Sequence, residues 1–268
     1  MFIPQKLLIT YKMTNIEEVI KCMKKDIKMI HHLKIDTCKE ILRIADEKYY
    51  NDETFLNDNE YEYIKEYVLA KEPTYDSEIG HETIQVDKTS VELPIWMGSM
   101  SKKYTVDTQK DVVLSDKLDG VSCLYVNNSS GVKLYTRGNG KKGKDISNLE
   151  TFINGVKHYK NESFMIRGEL IMSKTNFTEM KETESNARNT VSGIVNSKTP
   201  NKKYEKLVDF VAYEVVSEKT PLEQMEYIGK LQLNCVKYTY MSEIKSKEIH
   251  EHLILRKQDS MYEIDGII

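Results

Sequence analysis

Residues 112–126, "VVLSDKLDGVSCLYV", decide the fold of this chain and point to its chemistry. Two β-prone runs flank a polar cluster that contains Lys117, Asp119 and Gly120. Apolar runs bounded by Ser, Asp and Gly predict two strands joined by a turn. Taken alone, the cluster is typical of a solvated hairpin turn. The alternative is a reactive lysine, and the rest of the sequence decides between the two.

The composition is that of an ordinary globular protein. The chain has 268 residues, of which 40% are hydrophobic and 30% charged, with a formal net charge of -3, so only local basic clusters are expected to bind phosphate. No apolar run approaches the roughly 20 residues that a membrane-spanning helix needs, and the N-terminus lacks the pattern of a signal peptide. We therefore expect no membrane partner. Four scattered cysteines without a Cys-x-x-Cys pair predict free thiols in a reducing, cytoplasmic compartment.

The texture of the sequence changes near residue 93. Apolar residues at helical spacing over residues 15–72 predict helices, whereas short β-prone runs separated by turn signals follow later. The sequence therefore predicts an α+β fold, with a small helical domain over residues 1–75, a linker over 76–92 and an antiparallel-sheet domain over 93–268. The chain stops in "YEIDGII", a predicted strand, so we expect unpaired sheet backbone there and an incomplete C-terminus.

Three further segments favour the reactive lysine. "RGEL" (167–170) places a charge pair around a glycine inside an apolar strand pattern, where glycine often marks a close approach and the charges need partners. "EIDGII" repeats the device with Asp265 and Gly266. "TRGNGKKGKDIS" (136–147) supplies glycines and cations suited to phosphate.

Together these residues suit nucleotidyl transfer. Lys117 is a candidate nucleophile for the α-phosphorus of a nucleotide. Glu169 and Asp265 are candidate Mg²⁺ ligands, because carboxylates hold that ion beside phosphoryl oxygens. Arg137 is a candidate for bracing ribose or phosphate through its fork of donors.

From about residue 40 onward, the sequence motifs and their order along the chain resemble those of bacterial-type NAD-dependent DNA ligases. "KLDG" matches the adenylated-lysine motif, and "TRGNGKKGKDIS" is similar to T-R-G-D-G-x-x-G-E-D-V-T. The other segments that resemble family motifs are "LPIWMGSM" (93–100), "IRGELIM" (166–172), "NARNTVSG" (186–193), "LVDFVAYEV" (207–215) and "EIDGII" (263–268). The resemblance implies a nucleotidyltransferase domain with an ATP-grasp-like adenylation fold.

The resemblance also implies catalytic roles. Lys117 would form the phosphoramide with AMP, and Asp119 would lie near the ribose and the lysine. Arg137 and Glu169 would contact the nucleotide sugar, with Glu169 and Asp265 also near the metal.

Further nucleotide-binding positions follow from the same resemblance. Tyr213 would stack on adenine, and Ser99 and Met100 would line the nucleotide site. Arg188 would support the site and the nicked DNA. Ile268, the last residue of the "EIDGII" motif, counts among the nucleotide-binding positions.

The helical segment resembles the family's clamp for the nicotinamide mononucleotide half of NAD, which uses a Tyr-His pair and a downstream D-x-E-Y-D. Asp58 and Tyr61 match that motif, and Glu62 stands where Asp is usual. The upstream pair falls on Lys48 and Tyr49, so the usual histidine is replaced.

Other positions also depart from the usual letters. Ser115 stands where the family has an acid two residues before the lysine, although Asp116 is adjacent. In the Gly-rich loop, Asn139 replaces Asp and Lys144 replaces Glu. Asn196 falls where an arginine is expected.

The resemblance implies NAD⁺ and Mg²⁺ as cofactors and nicked double-stranded DNA as partner. An OB-fold and further DNA-clamp parts would come from a missing C-terminal region or a partner subunit. Two alternatives stay open: an ATP-dependent polynucleotide ligase with the same core, and a catalytically silent nucleotide- or DNA-binding subunit of a split ligase. Richness in Lys, Asn, Ile and Tyr predicts an AT-rich, viral source.

Overall fold

The computed structural model describes residues 16–50, 56, 58–73, 75, 90–98, 108–180, 186–197 and 199–268. The chain divides into two compact units, Met1–Gln85 and Val86–Ile268. Most of the predicted linker lies outside the described residues. Its last three residues, Ser90–Glu92, form a short strand. The limits 1–75, 76–92 and 93–268 stay a prediction.

The first unit is helical, as predicted. Its elements are α1 (Ile16–Met23), a 3-10 turn (Ile27–His32), α2 (Ile35–Tyr50) and α3 (Asp58–Lys71). Apolar residues three, four and seven positions apart form one face of α2, which packs in the core of this unit. These buried residues are Cys38, Ile41, Leu42 and Ala45.

The second unit contains nine strands in its described part, arranged in antiparallel sheets. A four-stranded sheet has the order β4-β3-β6-β7, a three-stranded sheet β8-β2-β9, and β1 pairs with β5. The strands are β1 (Ser90–Glu92), β2 (Gln109–Leu118), β3 (Val121–Asn128), β4 (Gly131–Thr136), β5 (Lys142–Lys144), β6 (Phe164–Met172), β7 (Val208–Val215), β8 (Tyr238–Ile244) and β9 (Ile264–Ile267). The predicted α+β class with an antiparallel sheet is confirmed.

Helices connect and cover these strands. They are α4 (Lys174–Thr178), α5 (Ala187–Asn196), α6 (Pro221–Lys230) and α7 (Ser246–Asp259), with short 3-10 turns at Ser147–Leu149 and Lys202–Tyr204. α5 packs against β6 and α6 against β7. The core includes Tyr125, Ile166, Val191, Phe210 and Ile228, which are buried. These elements form the scaffold on which the polar residues of β2, β6 and β9 are held.

The two strands of residues 112–126 form as predicted, but they are not a hairpin. β2 pairs with β8 and β9, whereas β3 pairs with β4 and β6. Asp119 and Gly120 therefore join two different sheets. A Cβ atom on Gly120 would lie 2.4 Å from the carbonyl oxygen of Leu170 and 2.8 Å from Cγ of Glu169. Glycine is required at this junction because β6 passes so close to it.

The segment "EIDGII" forms the predicted strand, β9, and pairs with β2. Lys117 lies opposite Gly266 in the register. The backbone of Ile268 is hydrogen-bonded in both directions: its N–H donates to Ser115 O (2.9 Å) and its carbonyl accepts from Ser115 N–H (2.8 Å). The expectation of unpaired backbone at the last residue is therefore wrong.

A buried ion pair fastens α7 to β2. Arg256 donates from Nε to Asp116 Oδ1 (3.1 Å) and from Nη2 to Oδ2 (2.9 Å), and Asp116 is only 4% exposed. Asp116 raises the pKa of Arg256 further through this hydrogen bond. The sequence placed Asp116 beside the lysine as a neighbouring acid, but consecutive strand residues point to opposite faces. Asp116 is thus bound to Arg256.

Replacing Arg256 with alanine is expected to lower the free energy of unfolding by about 3 kcal/mol, because Asp116 would remain buried without its partner. Urea unfolding at neutral pH measures the change. The neighbouring exposed residue supplies the control, since Lys257→Ala should change the same quantity by less than about 0.5 kcal/mol. Equal losses in the two variants would contradict a stabilising role of the ion pair.

Candidate active site

Lys117 and Asp265 meet between two paired strands. Lys117 Nζ donates to Asp265 Oδ2 at 2.5 Å, and the two side chains keep 39% and 32% of their surface exposed. The register of β2 against β9 brings them together, because Asp265 directly precedes the residue opposite Lys117. The predicted nucleophile thus lies in hydrogen-bond contact with a predicted metal ligand, and both remain accessible.

Asp119, two residues after the lysine, is held by Arg188. Arg188 Nη1 donates to Asp119 Oδ1 at 2.7 Å, and the Asp119 N–H donates to the Glu263 carbonyl at 3.0 Å. Arg188 lies in the first turn of α5, whose start is fixed by the Asn186 side chain accepting from Asn189 N–H at 2.7 Å. Burial lowers the pKa of Arg188, and the negative charge of Asp265 opposes this effect.

Glu169 lies in β6, in the electric field of the same cluster. Burial of its carboxyl group raises the pKa to about 8, although the positive charges of Arg137 and Lys117 and a hydrogen bond from Gly120 N–H act to lower it. The adjacent Gly168 has no room for a side chain, since a Cβ there would lie 2.5 Å from the Phe210 ring. The predicted close approach at the "RGE" glycine is confirmed.

The raised pKa of Glu169 predicts that stability falls as the pH rises. An unfolded glutamate loses its proton near its ordinary pKa of about 4.3, whereas the folded carboxyl group keeps it until about pH 8. The folded state binds more protons in this interval, so the contribution is present in full below the unfolded pKa and lost as the pH rises through the folded one.

Urea unfolding of the wild type and of Glu169→Gln between pH 4 and 9 tests this dependence. The free energy of unfolding of the wild type minus that of Glu169→Gln should fall by at most about 1.4 kcal/mol per pH unit as the pH rises. This difference should become constant above the folded pKa. Glu226→Gln removes an exposed carboxyl group from α6 and serves as control. A difference that stays constant with pH would contradict the raised pKa.

The Gly-rich loop between β4 and β5 is a tight turn. Asn139 Oδ1 accepts hydrogen bonds from Lys141 N–H (3.0 Å) and Lys142 N–H (2.8 Å). Gly138 and Gly140 have φ values of +50° and +89°, in the left-handed region that favours glycine. Asn139 thus folds the loop locally at the position where the resemblance expects an acid.

The segment before the lysine motif lies against this loop. Met97 N–H donates to the Gly140 carbonyl at 2.8 Å, and the carbonyl of Trp96 accepts from Arg167 Nη2 at 2.8 Å. Arg167 also pairs with Glu214 at 2.5 Å. Ser99 and Met100, the predicted nucleotide-lining residues, lie outside the described residues.

Tyr213 is directed by an irregularity in the sheet. β6 and β7 pair Arg167 with Glu214 and Gly168 with Ala212, so Tyr213 is an extra residue of a β-bulge. Its hydroxyl lies 2.9 Å from the Ser122 hydroxyl. Burial raises the pKa of Tyr213, and the charge of Glu169 adds to that effect.

The structure therefore brings together the five residues predicted as catalytic and two of those predicted to bind nucleotide, Arg188 and Tyr213. Hydrogen bonds or close charges link Lys117, Asp119, Arg137, Glu169, Arg188, Tyr213 and Asp265. Ile268 reaches this region through its backbone bonds to Ser115. Ser122 and Arg256 contact Tyr213 and Asp116 and were not predicted, because serine and arginine outside a motif carry no local signal. Glu263 begins the "EIDGII" motif but contacts Asp119 through its backbone carbonyl, which the side-chain type does not predict.

The predicted nicotinamide clamp belongs to the helical unit. Tyr49 lies in α2, and Asp58, Tyr61 and Glu62 lie in α3. The Tyr61 side chain is half-buried against the core of that unit. The side chains of the other three residues lie outside the described part.

This arrangement can perform phosphoryl chemistry. An accessible lysine amine lies beside a carboxylate. The strand after the lysine, β3, pairs with β4, and β4 leads into a compact loop rich in glycine and cations. Such groups can attack phosphorus and stabilise charge on its oxygens. Fold and site together define a nucleotidyltransferase domain.

The chain belongs to the family of NAD-dependent DNA ligase adenylation domains, whose family model matches residues 87–268. It is 36% identical over 272 residues to a DNA ligase of Acanthamoeba polyphaga mimivirus, covering 94% of this chain and 42% of that protein. It is 34% identical over 249 residues to the putative DNA ligase 205R of Invertebrate iridescent virus 6, covering 84% and 38%. A DNA ligase of Helicobacter pylori (strain J99) is 27% identical over 195 residues, covering 66% and 29%.

The family resemblance predicted from the motifs is thereby confirmed. The chain spans less than half the length of these relatives. Among the described helices, none combines the length and apolar character needed to cross a membrane.

Proposed function

We propose that this chain is the adenylation module of an NAD-dependent DNA ligase, in which Lys117 attacks the adenylyl phosphorus of NAD⁺. A bond forms between Lys117 Nζ and phosphorus, and the bond from phosphorus to the bridging pyrophosphate oxygen breaks. Nicotinamide mononucleotide leaves, and AMP stays on the lysine. The contact between Lys117 and Asp265 within the "KLDG" and "EIDGII" motifs carries this proposal.

The lysine must lose a proton as the new bond forms. Asp265 Oδ2 already accepts a hydrogen bond from Nζ, so it is placed to accept that proton as a general base. Without nucleotide, the amine of Lys117 is paired with the carboxylate of Asp265. Binding of the nucleotide and attack on phosphorus therefore have to displace an existing charge pair.

The surrounding residues would bind the nucleotide. Arg137 and Glu169 contact the sugar, Asp119 lies near the ribose and the lysine, and Tyr213 stacks on adenine. Ser99, Met100 and Ile268 complete the nucleotide site. Arg188 supports Asp119 and contacts nicked DNA.

Glu169 and Asp265 fit a magnesium ion. Mg²⁺ is commonly held by one or two carboxylates together with substrate phosphate oxygens rather than by an all-protein cage. In the described part of the chain no three Asp, Glu, His or Cys side chains form a metal-binding group, which agrees with a site completed by substrate. When bound, the ion would neutralise charge on the phosphoryl oxygens. It would compete with the proton of Glu169.

The helical unit would bind the nicotinamide mononucleotide half of NAD⁺. Tyr49, Asp58, Tyr61 and Glu62 are the residues that we assign to this clamp. Support comes from the position of the "DNEYEY" motif in a helix, α3.

The remaining steps would use nicked double-stranded DNA. AMP passes from Lys117 to the 5′-phosphate at a nick, and the 3′-hydroxyl then displaces it. An OB-fold and further DNA-clamp parts would come from outside this chain, which covers 42% of its mimivirus relative. We propose that the protein is virus-encoded, in agreement with its viral relatives.

Incubation with adenylate-labelled NAD⁺ or with labelled ATP, each with Mg²⁺, tests the proposal. We expect the label from NAD⁺ to attach to the protein and nicotinamide mononucleotide to be released. Preferential labelling by ATP would contradict the cofactor assignment and favour the ATP-dependent alternative. Label from neither nucleotide would favour the catalytically silent subunit.

A further inference from the structure

Lys144 and Asn196 connect the Gly-rich loop to the helix that carries Arg188. Lys144 ends β5, and its Nζ donates a hydrogen bond to Asn196 Oδ1 at 2.5 Å. Lys144 is also fixed by its backbone, since its N–H donates to Thr136 Oγ1 at 2.9 Å. The contact therefore begins at a well-anchored point of the loop.

The amide of Asn196 is oriented for this contact. Its Nδ2 donates to the Ser192 carbonyl at 3.0 Å, one turn earlier in α5. This bond leaves Oδ1 directed at the lysine, which is a donor without any acceptor capacity. The contact thus joins a donor side chain to an acceptor oxygen that is already oriented.

Helix α5 is consequently held at both ends. Near its start, Arg188 binds Asp119, which lies two residues from Lys117. At its last residue, Asn196 binds Lys144. A displacement of the far end would move Arg188 and, through Asp119, the junction that follows the lysine.

We propose that Lys144 and Asn196 are a pair of positioning residues, which sets α5 and the Gly-rich loop in the geometry that adenylation of Lys117 requires. The inference rests on the proposed function for its effect on labelling. Both positions depart from the motif letters given above, where an acid and an arginine are usual. A cation–amide contact joins the two positions in this chain, so a change at one of them is expected to alter the effect of a change at the other.

Exchange of the two residues tests this coupling. Lys144→Glu places a carboxylate opposite the Asn196 oxygen, so two acceptors face each other. Asn196→Arg places a guanidinium opposite the lysine, so two cations face each other. Each single variant is expected to slow labelling by NAD⁺ about tenfold. The double variant K144E/N196R places opposite charges together and is expected to recover to within about threefold of the wild type.

A control separates the pair from the general effect of reversing a surface charge. Lys160 lies outside the Gly-rich loop and is exposed, so Lys160→Glu should change the labelling rate less than about twofold. If Lys160→Glu slows labelling as much as Lys144→Glu, or if the double variant is slower than both singles, the proposal is wrong.

The midpoint of urea unfolding gives a second readout for the four-protein cycle. Recovery of the midpoint in the double variant is expected in parallel with the rate. If the wild type takes no label, the proposed function fails. The unfolding midpoint of the double variant then tests the contact alone: recovery supports the coupling of Lys144 and Asn196, and a further loss contradicts it. Recovery of the midpoint without recovery of the rate in an active protein would overturn the positioning role.

Discussion

Replacing Lys117 with alanine or arginine is expected to reduce covalent labelling by NAD⁺ at least about 10³-fold, because either change removes the only group proposed to bond to phosphorus. Arginine is the more informative variant. A guanidinium can still pair with Asp265, as Lys117 does at 2.5 Å, but it stays protonated and cannot act as a nucleophile. The loss is therefore expected even where the ion pair and the fold survive.

Lys110→Ala provides the matched control for this variant. Lys110 lies on the same strand, β2, and is exposed, so its removal should leave the labelling rate within about twofold of the wild type. Urea unfolding shows whether each variant is folded. A folded Lys117→Arg protein that accepts label at a rate near that of the wild type would contradict the assignment of the nucleophile.

Replacing Gly120 with alanine is expected to reduce labelling about 100-fold and to lower the free energy of unfolding by about 1 to 3 kcal/mol. The added Cβ would lie 2.4 Å from the backbone oxygen of Leu170, which cannot rotate away as a side chain would. Overpacking costs about this much energy. The strands must separate, and a shift of about 1 Å in Lys117 relative to Glu169 accounts for the loss of rate.

Gly229→Ala is the control for the added methyl group. Gly229 lies within α6, and a Cβ there would have no atom within 4 Å. Alanine favours a helix over glycine by about 0.5 to 1 kcal/mol, so this variant should be as stable as the wild type or more stable, with unchanged labelling. If Gly120→Ala and Gly229→Ala have the same labelling rate and the same free energy of unfolding, the close approach at the sheet junction matters for neither adenylation nor stability.

Much of the second unit could be predicted from local sequence. The runs that became β2, β3, β4, β6 and β7 are rich in β-branched and apolar residues and are bounded by turn residues. β1, β5 and β8 were not predicted. β1 and β5 have only three residues each, and most of β8 is exposed or half-buried, so none of the three shows a strong alternation of polar and apolar residues.

Pairing of the strands could not be read from the sequence. The cluster at Asp119 and Gly120 has the composition of a hairpin turn, yet the two flanking strands enter different sheets. Such pairing depends on contacts far apart in the chain, as between Lys117 and Gly266. Local propensity does not contain this information.

The site was predicted largely through local motifs. Features of the site that depend on contacts between distant parts of the chain could therefore not be predicted. Glu169 and Asp265 were found because each is next to a glycine in an unusual strand pattern, and Lys117 was found through the polar cluster "KLDG" between two β-prone runs. The orientation of Tyr213 depends on a bulge, and the partner of Asp116 comes from a helix 140 residues further along the chain. Neither leaves a local signal. The nicotinamide clamp and the roles of Ser99 and Met100 stay predictions.

Mass spectrometry of the wild-type chain after incubation with NAD⁺ and Mg²⁺ tests the central claim most directly. The account predicts a mass increase of one adenylyl group and the release of an equal amount of nicotinamide mononucleotide. Proteolysis at low temperature followed by peptide sequencing should locate the adenylyl group on Lys117. An adenylyl group on another residue, or a folded protein that acquires none, would contradict the account.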